Sequence, residues 1–467
     1  MRASFAAVAI AVSTQFAAMA GFAAPVSHFT LPNGLEAVVI EDHRAPVVVQ
    51  MVWYKAGSAD EIRGKSGIAH YLEHLMFKGT DTMAAGELSK TVSANGGSDN
   101  AFTSYDYTAY HQRIAADRLE LVMKMEADRM RHLHISPDDW QTERDVILEE
   151  RAQRTDSDPG ALLGEQMRAA QFLNSPYGTP VIGWRQEMEE LTRDDAIAWY
   201  TRYYAPNNAV LVVAGDVTPE AVQALAEKYY GPLAPSEDIP ERIRPQEPPQ
   251  LAERRLVFHD PRIAQPYLMR TYLAPERNPG DQKTAAALTI LSEILGGNSA
   301  TSVLGRKLLF ETGDAIHASA GYDGMSIDKT TLSLAVMPAK DVTLPEVEAA
   351  LDAALKDFLE GGVDPAQFER IRTQIRAGEI YEEDDTQALA RRYGEALASG
   401  FSIEDVQAWP EVLMQVTPED VMAAAKAVLD PAHAVTVYAE PEAGEGVDPV
   451  AAGAPALPAG LGAEVTQ

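Results

Sequence analysis

Within the run His70-Tyr71-Leu72-Glu73-His74-Leu75, two imidazoles and a carboxylate fall inside five residues. If the run is helical, His70 and His74 are one turn apart, about 6 Å from each other, and both can reach a single cation. Glu73 borders the same face but is offset from it. It is badly placed to join both histidines as a ligand, yet it can touch water held at the metal. Two nitrogen ligands beside a carboxylate base is the helical layout of a zinc hydrolase. The order His-x-x-Glu-His is the inverse of the more familiar His-Glu-x-x-His. Alone, the motif also fits a helix that merely carries three polar residues.

A catalytic zinc site needs three protein ligands and one open position. The chain has no cysteine, so thiolate zinc sites and disulfides are excluded, and the third ligand must be His, Asp or Glu. The segment Glu143-Arg144-Asp145-Val146-Ile147-Leu148-Glu149-Glu150 offers candidates. Glu143 and Glu150 are seven apart and share a helical face, whereas Glu149 points about 100° away from Glu150. Helical geometry alone leaves the choice of glutamate open. The remaining eight histidines carry no such pattern: His132 and His134 are two apart, wrong for one helical face. Glu382 to Asp385 reads as a solvated face or a helix start. Gly296 to Ser299 reads as a helix-ending turn without the Lys-Ser/Thr of a phosphate loop.

Taken together, His70-x-x-Glu73-His74, Glu143 and the Glu149-Glu150 pair resemble the inverted-zincin peptidases of the pitrilysin, insulysin and mitochondrial processing peptidase family (M16). That resemblance implies Glu150 as the third ligand of one Zn2+ per chain, Glu73 as general base on water at the metal, and Glu143 as a glutamate that assists the site. It also implies that Asn100, Ala101, Phe102 and Thr103 form an edge strand beside the metal, where a peptide adds by main-chain pairing. Active members complete the site with an Arg and, seven residues later, a Tyr from the C-terminal half. Here the matching positions are Leu309 and Ile316, neither of which donates a hydrogen bond. Arg306 and Tyr322 stand nearby at the wrong spacing. The resemblance therefore implies a partner, a related zinc-free subunit that supplies both groups, as in the heterodimeric branch of the family.

The elements that must hold these residues can be placed from pattern. Pro32-Asn33-Gly34 is a turn between strand-like runs, and a second β-branched run follows from Ala45. Lys65 to Gly79 reads as the motif helix, Ala101 to Tyr110 as one alternating strand, and 116–132 and 138–154 as long helices. Asn207 to Asp216 reads as a buried central strand. Residues 231–250 hold six prolines and read as an extended linker rather than a packed element. Beyond them the order restarts, and His433 to Glu440 echoes Asn208 to Asp216. The expected fold is α+β: two homologous halves, each a mostly antiparallel sheet covered by helices, paired like a clam around the active site. The expected divisions are a signal peptide at 1–24, a zinc-binding half at 25–230, the linker at 231–254, a metal-free half at 255–440 and a disordered tail at 441–467.

Composition narrows the function further. A formal charge of −30, from 39 basic and 69 acidic residues, argues against nucleic acid. The first 24 residues combine Arg2, an apolar small-residue run and small residues suited to cleavage, the pattern of a secretory signal. No later stretch is apolar for the ~20 residues of a membrane span. The sequence thus reads as a periplasmic zinc endopeptidase acting on peptides or unfolded chains. The competing readings are a non-catalytic assembly subunit and a peptide-binding clamp with structural zinc.

Overall fold

A computed structural model describes residues 25–442 and the backbone of Val465 and Thr466. The expected signal peptide, and all of the expected tail beyond Glu442 except those two residues, lie outside the described residues. No described helix is long and apolar enough to cross a membrane.

The strands are β1 (Val26–Thr30), β2 (Glu36–Glu41), β3 (Val47–Tyr54), β4 (Ser98–Thr103), β5 (Thr108–Ala115), β6 (Ala209–Gly215), β7 (Arg254–His259), β8 (Tyr267–Ala274), β9 (Ala315–Tyr322), β10 (Thr330–Pro338), β11 (Ala434–Glu440) and β12 (Val465–Thr466). They form two sheets, ordered β1-β2-β6-β3-β5-β4-β12 and β7-β11-β8-β10-β9. The second order repeats the first. β2 and β6 pair in parallel, as do β7 and β11, and every other neighbour is antiparallel. The echo between Asn208–Asp216 and His433–Glu440 is the echo of β6 and β11, the central strands at matching places. The fold is α+β in two similar halves.

One expectation is corrected here. Ala101 to Tyr110 is not a single strand but a hairpin, β4 and β5 joined by Ser104–Tyr107, closed by the bond from the Ser104 N–H to the Tyr107 carbonyl. Aromatic alternation continues through the turn, so periodicity hides it. The turn is held from outside the strand: Arg244 and the Tyr177 hydroxyl both bind the Asp106 carboxylate.

Arg244 also shows what the proline-rich stretch does. Residues 239–250 form no helix or strand, but the side chains of Arg242, Arg244, Glu247 and Gln250 are pinned. Arg244 meets Asp60, Asp106 and Asp328, which belong to both halves. The Glu247 carboxylate accepts the N–H groups of Leu173, Asn174 and Ser175. Proline removes backbone donors, so this segment is tied down through side chains instead.

Each sheet has helices of its own half on one face. The other face is covered by a helix from the opposite half. Thr386–Ala398 of the second half lies on β3 and β6, where Leu389, Tyr393 and Ala396 pack against Met51, Trp53 and Val212. Reciprocally, Pro159–Gln171 of the first half places Leu163 and Met167 against Met269, Val435 and Val437. The first contact is tightest at Gly394, where a Cβ would lie 2.0 Å from Trp53 Nε1. Alanine in place of glycine within a helix normally gains up to ~1 kcal/mol. Overpacking a filled interface costs ~1–3 kcal/mol, and Trp53 is wholly buried with Phe102 and Tyr107 edge-on to it. Gly394→Ala is therefore expected to lower stability by about 1–2 kcal/mol, read as a lower denaturant midpoint; an unchanged or higher midpoint would show that the interface yields.

Candidate active site

The motif helix is Ile68–Leu75, and all eight of its residues are buried. Its N-terminus has no capping side chain of its own. Glu61 supplies the cap, accepting the N–H groups of Gly67 at 3.0 Å and Ala69 at 2.9 Å. Gly67 enters the helix with φ at +89°, and a Cβ there would meet the Ile182 carbonyl at 2.7 Å, so glycine is required twice over. The partner helix is Pro137–Arg151, started by Ser136 and Asp139 as a capping box. Tyr71 docks the two helices: its ring stacks on Trp140 at 4.1 Å and its hydroxyl donates to the Trp140 carbonyl.

This docking brings one face of each helix together. His74 Nε2 lies 3.3 Å from His70 Nε2 and 3.1 Å from Glu150 Oε2, and His70 Nε2 lies 3.6 Å from the same oxygen. A tetrahedral zinc with bonds of ~2.0–2.1 Å spaces its ligand atoms about 3.3 Å apart. The triangle of donors matches that size, and its chemistry, two imidazoles and a carboxylate, suits the ion. Glu149, left open by periodicity, is exposed and accepts from Gln153.

Glu143 sits beside the triangle rather than in it. One oxygen faces His74 Nδ1 at 3.0 Å and the other binds the Lys78 ammonium. Both its oxygens are thus committed: it orients His74 and fixes which nitrogen faces the triangle. Lys78 was not singled out in the sequence; it lies three residues past the end of the motif helix and reaches Glu143 from the turn that follows.

Glu73 is completely buried. Its Oε2 accepts the Thr103 hydroxyl at 2.5 Å, and its Oε1 is buried with no hydrogen-bond partner. Burial raises its carboxyl to about 8, only partly offset by the Thr103 bond. Burial presses His70 down to about 3. His74 is also penalised by burial, but its bonds to Glu143 and Glu150 prevail and hold it at about 9. Burial raises Glu150 and Glu143 as well, but the hydrogen bond from His74 and, for Glu143, that from Lys78 outweigh it and leave both below the usual range.

The four residues expected at the substrate strand occupy β4. Ala101, Phe102 and Thr103 are buried, with Ala101 in the core beneath the motif helix and Phe102 against Trp53. Only their main chain can meet a peptide. Asn100 is half-buried at the outer end, opposite His111 of β5. Thr103 has a role missed in the sequence, since its hydroxyl grips Glu73.

An open depression of about 810 Å³ lies before the triad, lined by His74, Glu143, Val146, Glu149, Glu150 and Arg154 among residues that all belong to the first half. Leu309 and Ile316 are elsewhere: Leu309 packs on the second core, and Ile316 is exposed on the edge strand β9. Arg306 contacts Gln367, and the Tyr322 hydroxyl binds the Pro275 carbonyl.

Residues 37–184 match the profile of insulinase, peptidase family M16, and residues 190–375 match that of the peptidase M16 inactive domain. An uncharacterized zinc protease of Mycobacterium leprae is 30% identical over 424 residues, 89% of this chain and 92% of that protein. The chain belongs to the M16 peptidase family. Among solved structures, a protease from Helicobacter pylori has 27% identity and a TM-score of 0.83, covering 90% of this chain and 100% of that one. The periplasmic protease PqqL of Escherichia coli has 20% identity and a TM-score of 0.76; the match covers 89% of this chain and 47% of that one, and shows the M16 fold. The division of the M16 profiles follows the division of the chemistry: the donors all lie in the first half, and the second matches the inactive domain.

Proposed function

We propose that this chain is an exported zinc endopeptidase that hydrolyses peptides or unfolded polypeptides and works with a related zinc-free subunit. The observation that carries the reading is the triangle of His70, His74 and Glu150 with the buried Glu73 carboxylate beside it. A zinc ion held there would act as a Lewis acid and acidify a coordinated water. His70, His74 and Glu150 hold and orient it. Glu73, with one oxygen anchored by Thr103, takes a proton at its other oxygen and returns it to the leaving amine. The main chain of β4 aligns the peptide by strand addition, which reads backbone rather than side chains. Export rests on the pattern of residues 1–24 and is supported by the periplasmic PqqL relative.

The partner rests on a second observation. The depression before the triad is lined by the first half alone, and Leu309 and Ile316 offer no donor. Side-chain donors to the substrate, beyond the main chain of β4, would then come from another chain. The intact donor triangle argues against a non-catalytic assembly subunit, and a buried base beside it argues against a peptide-binding clamp with structural zinc, in which the metal fills its fourth position.

The test is direct. Purified protein is analysed for zinc and assayed on an unstructured peptide, with and without chelator, alone and with an M16 relative that has the Arg and Tyr but lacks His-x-x-Glu-His. Chelator-sensitive cleavage that rises with the relative is expected. Cleavage untouched by complete zinc removal would sink the zinc reading, and full activity of the chain alone would sink the partner.

A further inference from the structure

The edge that should receive a peptide is already paired in this structure. β4 has β5 on its inner side and β12 on its outer side, with Val465 opposite Thr103 and Thr466 opposite Phe102, antiparallel. β9, the matching edge of the second half, has no strand on its outer side among the described residues. The chain's own strand thus sits on the half that carries the metal donors. It reaches Thr103, the residue whose hydroxyl anchors Glu73.

We propose that the segment around Val465 and Thr466 is a self-docking strand that occupies the peptide-binding edge and competes with substrate. This deepens the functional reading above and rests on β4 being the substrate edge. Sequence and geometry permit the docking. A bare edge strand presents unpaired N–H and C=O groups that pair with any extended backbone. Val465 and Thr466 are β-branched and favour the extended form. No proline follows Pro458, so every later residue keeps its backbone donor. The 22 residues from 443 to 464 span up to about 75 Å when extended, so the tether does not limit reach. A tethered strand acts at an effective concentration on the millimolar scale, enough to compete when its own affinity is weak. Because pairing is through main chain, the segment need not resemble a substrate in side chains. It raises the apparent KM and leaves kcat alone.

Val465→Pro in the full chain tests this, since proline removes a donor from the added strand and disturbs no residue of either half. With a fluorogenic unstructured peptide and the zinc-loaded protein, KM is expected to fall about threefold or more with kcat unchanged. A synthetic peptide of residues 459–467 should inhibit the variant competitively. An unchanged KM with no inhibition by that peptide overturns the docking. A KM that varies with protein concentration assigns the strand to a second copy and overturns the intramolecular contact. If neither protein cleaves any peptide, the functional reading fails on its own. The docking is then read by fluorescence anisotropy: the labelled 459–467 peptide binds the variant about threefold or more tighter than the parent, and equal binding overturns it.

Discussion

Glu73→Gln is expected to reduce peptide cleavage by about 10²–10⁴-fold, the usual contribution of a positioned general base, while zinc content stays at the level of the parent. The substitution is nearly isosteric, and the amide oxygen can still accept the Thr103 hydroxyl, so the packing around position 73 is kept. What disappears is the ability to take and return a proton. Glu73 is not a corner of the donor triangle, so metal uptake should not follow activity. Its environment favours the exchange: in the metal-free chain burial raises the carboxyl to about 8, which makes it a stronger proton acceptor than an ordinary glutamate. Parallel measurement of zinc by mass spectrometry and of kcat would decide. Parent-like cleavage by the variant would remove Glu73 from the mechanism, and joint loss of zinc and activity would recast it as structural.

The second large effect concerns metal affinity. Loss of a mere hydrogen-bonding neighbour of a ligand commonly weakens binding 10–100-fold, so Glu150→Gln, which replaces the proposed third ligand, is expected to cost about 10³-fold or more. Glu149→Gln, one position earlier, should cost nothing, because Glu149 is exposed and turned toward Gln153. Chelator competition on both variants reads the contrast directly, and equal losses would refute the assignment of Glu150. The pH dependence is a companion signature. In the metal-free chain His74 holds its proton up to about pH 9, kept there against burial by Glu143 and Glu150. Its folded pKa lies above the unfolded one, so this pairing stabilises the metal-free fold fully below about pH 6.5 and is lost as pH rises through about 9. Zinc must displace that proton, so affinity should climb about tenfold per pH unit toward pH 9. In Glu150→Gln, with one support of the proton gone, the slope should flatten at a lower pH.

The histidine pair was legible because spacing of four on a helix fixes which side chains meet, whatever the rest of the fold. The duplication was legible through the echo between the sequences of β6 and β11, though the order of strands around them was not. The choice of Glu150 over Glu149 was not accessible to periodicity, because both sit on one helix and only the docking of Tyr71 on Trp140 sets its rotation. The hairpin at Ser104–Tyr107 was hidden because its turn is fixed by Arg244, 138 residues beyond Asp106, and pattern within the strand cannot register a distant partner. Thr103 was visible as a strand residue but not as the anchor of Glu73, since that contact crosses from sheet to helix. Lys78 was hidden as well, because it reaches Glu143 from the turn after the motif helix rather than from the helix face.

Cutting the backbone within residues 239–250 would not release two autonomous modules. Thr386–Ala398 and Pro159–Gln171 act as mutual roofs, so each fragment on its own would bare an oily wall of valine, methionine and tryptophan to water. The severed pieces would cling as a nicked whole or precipitate. An ancestral duplication that arrived at this architecture therefore gave up the freedom to shuffle its second copy away, even though that copy contributes none of the clustered donors found among the described residues.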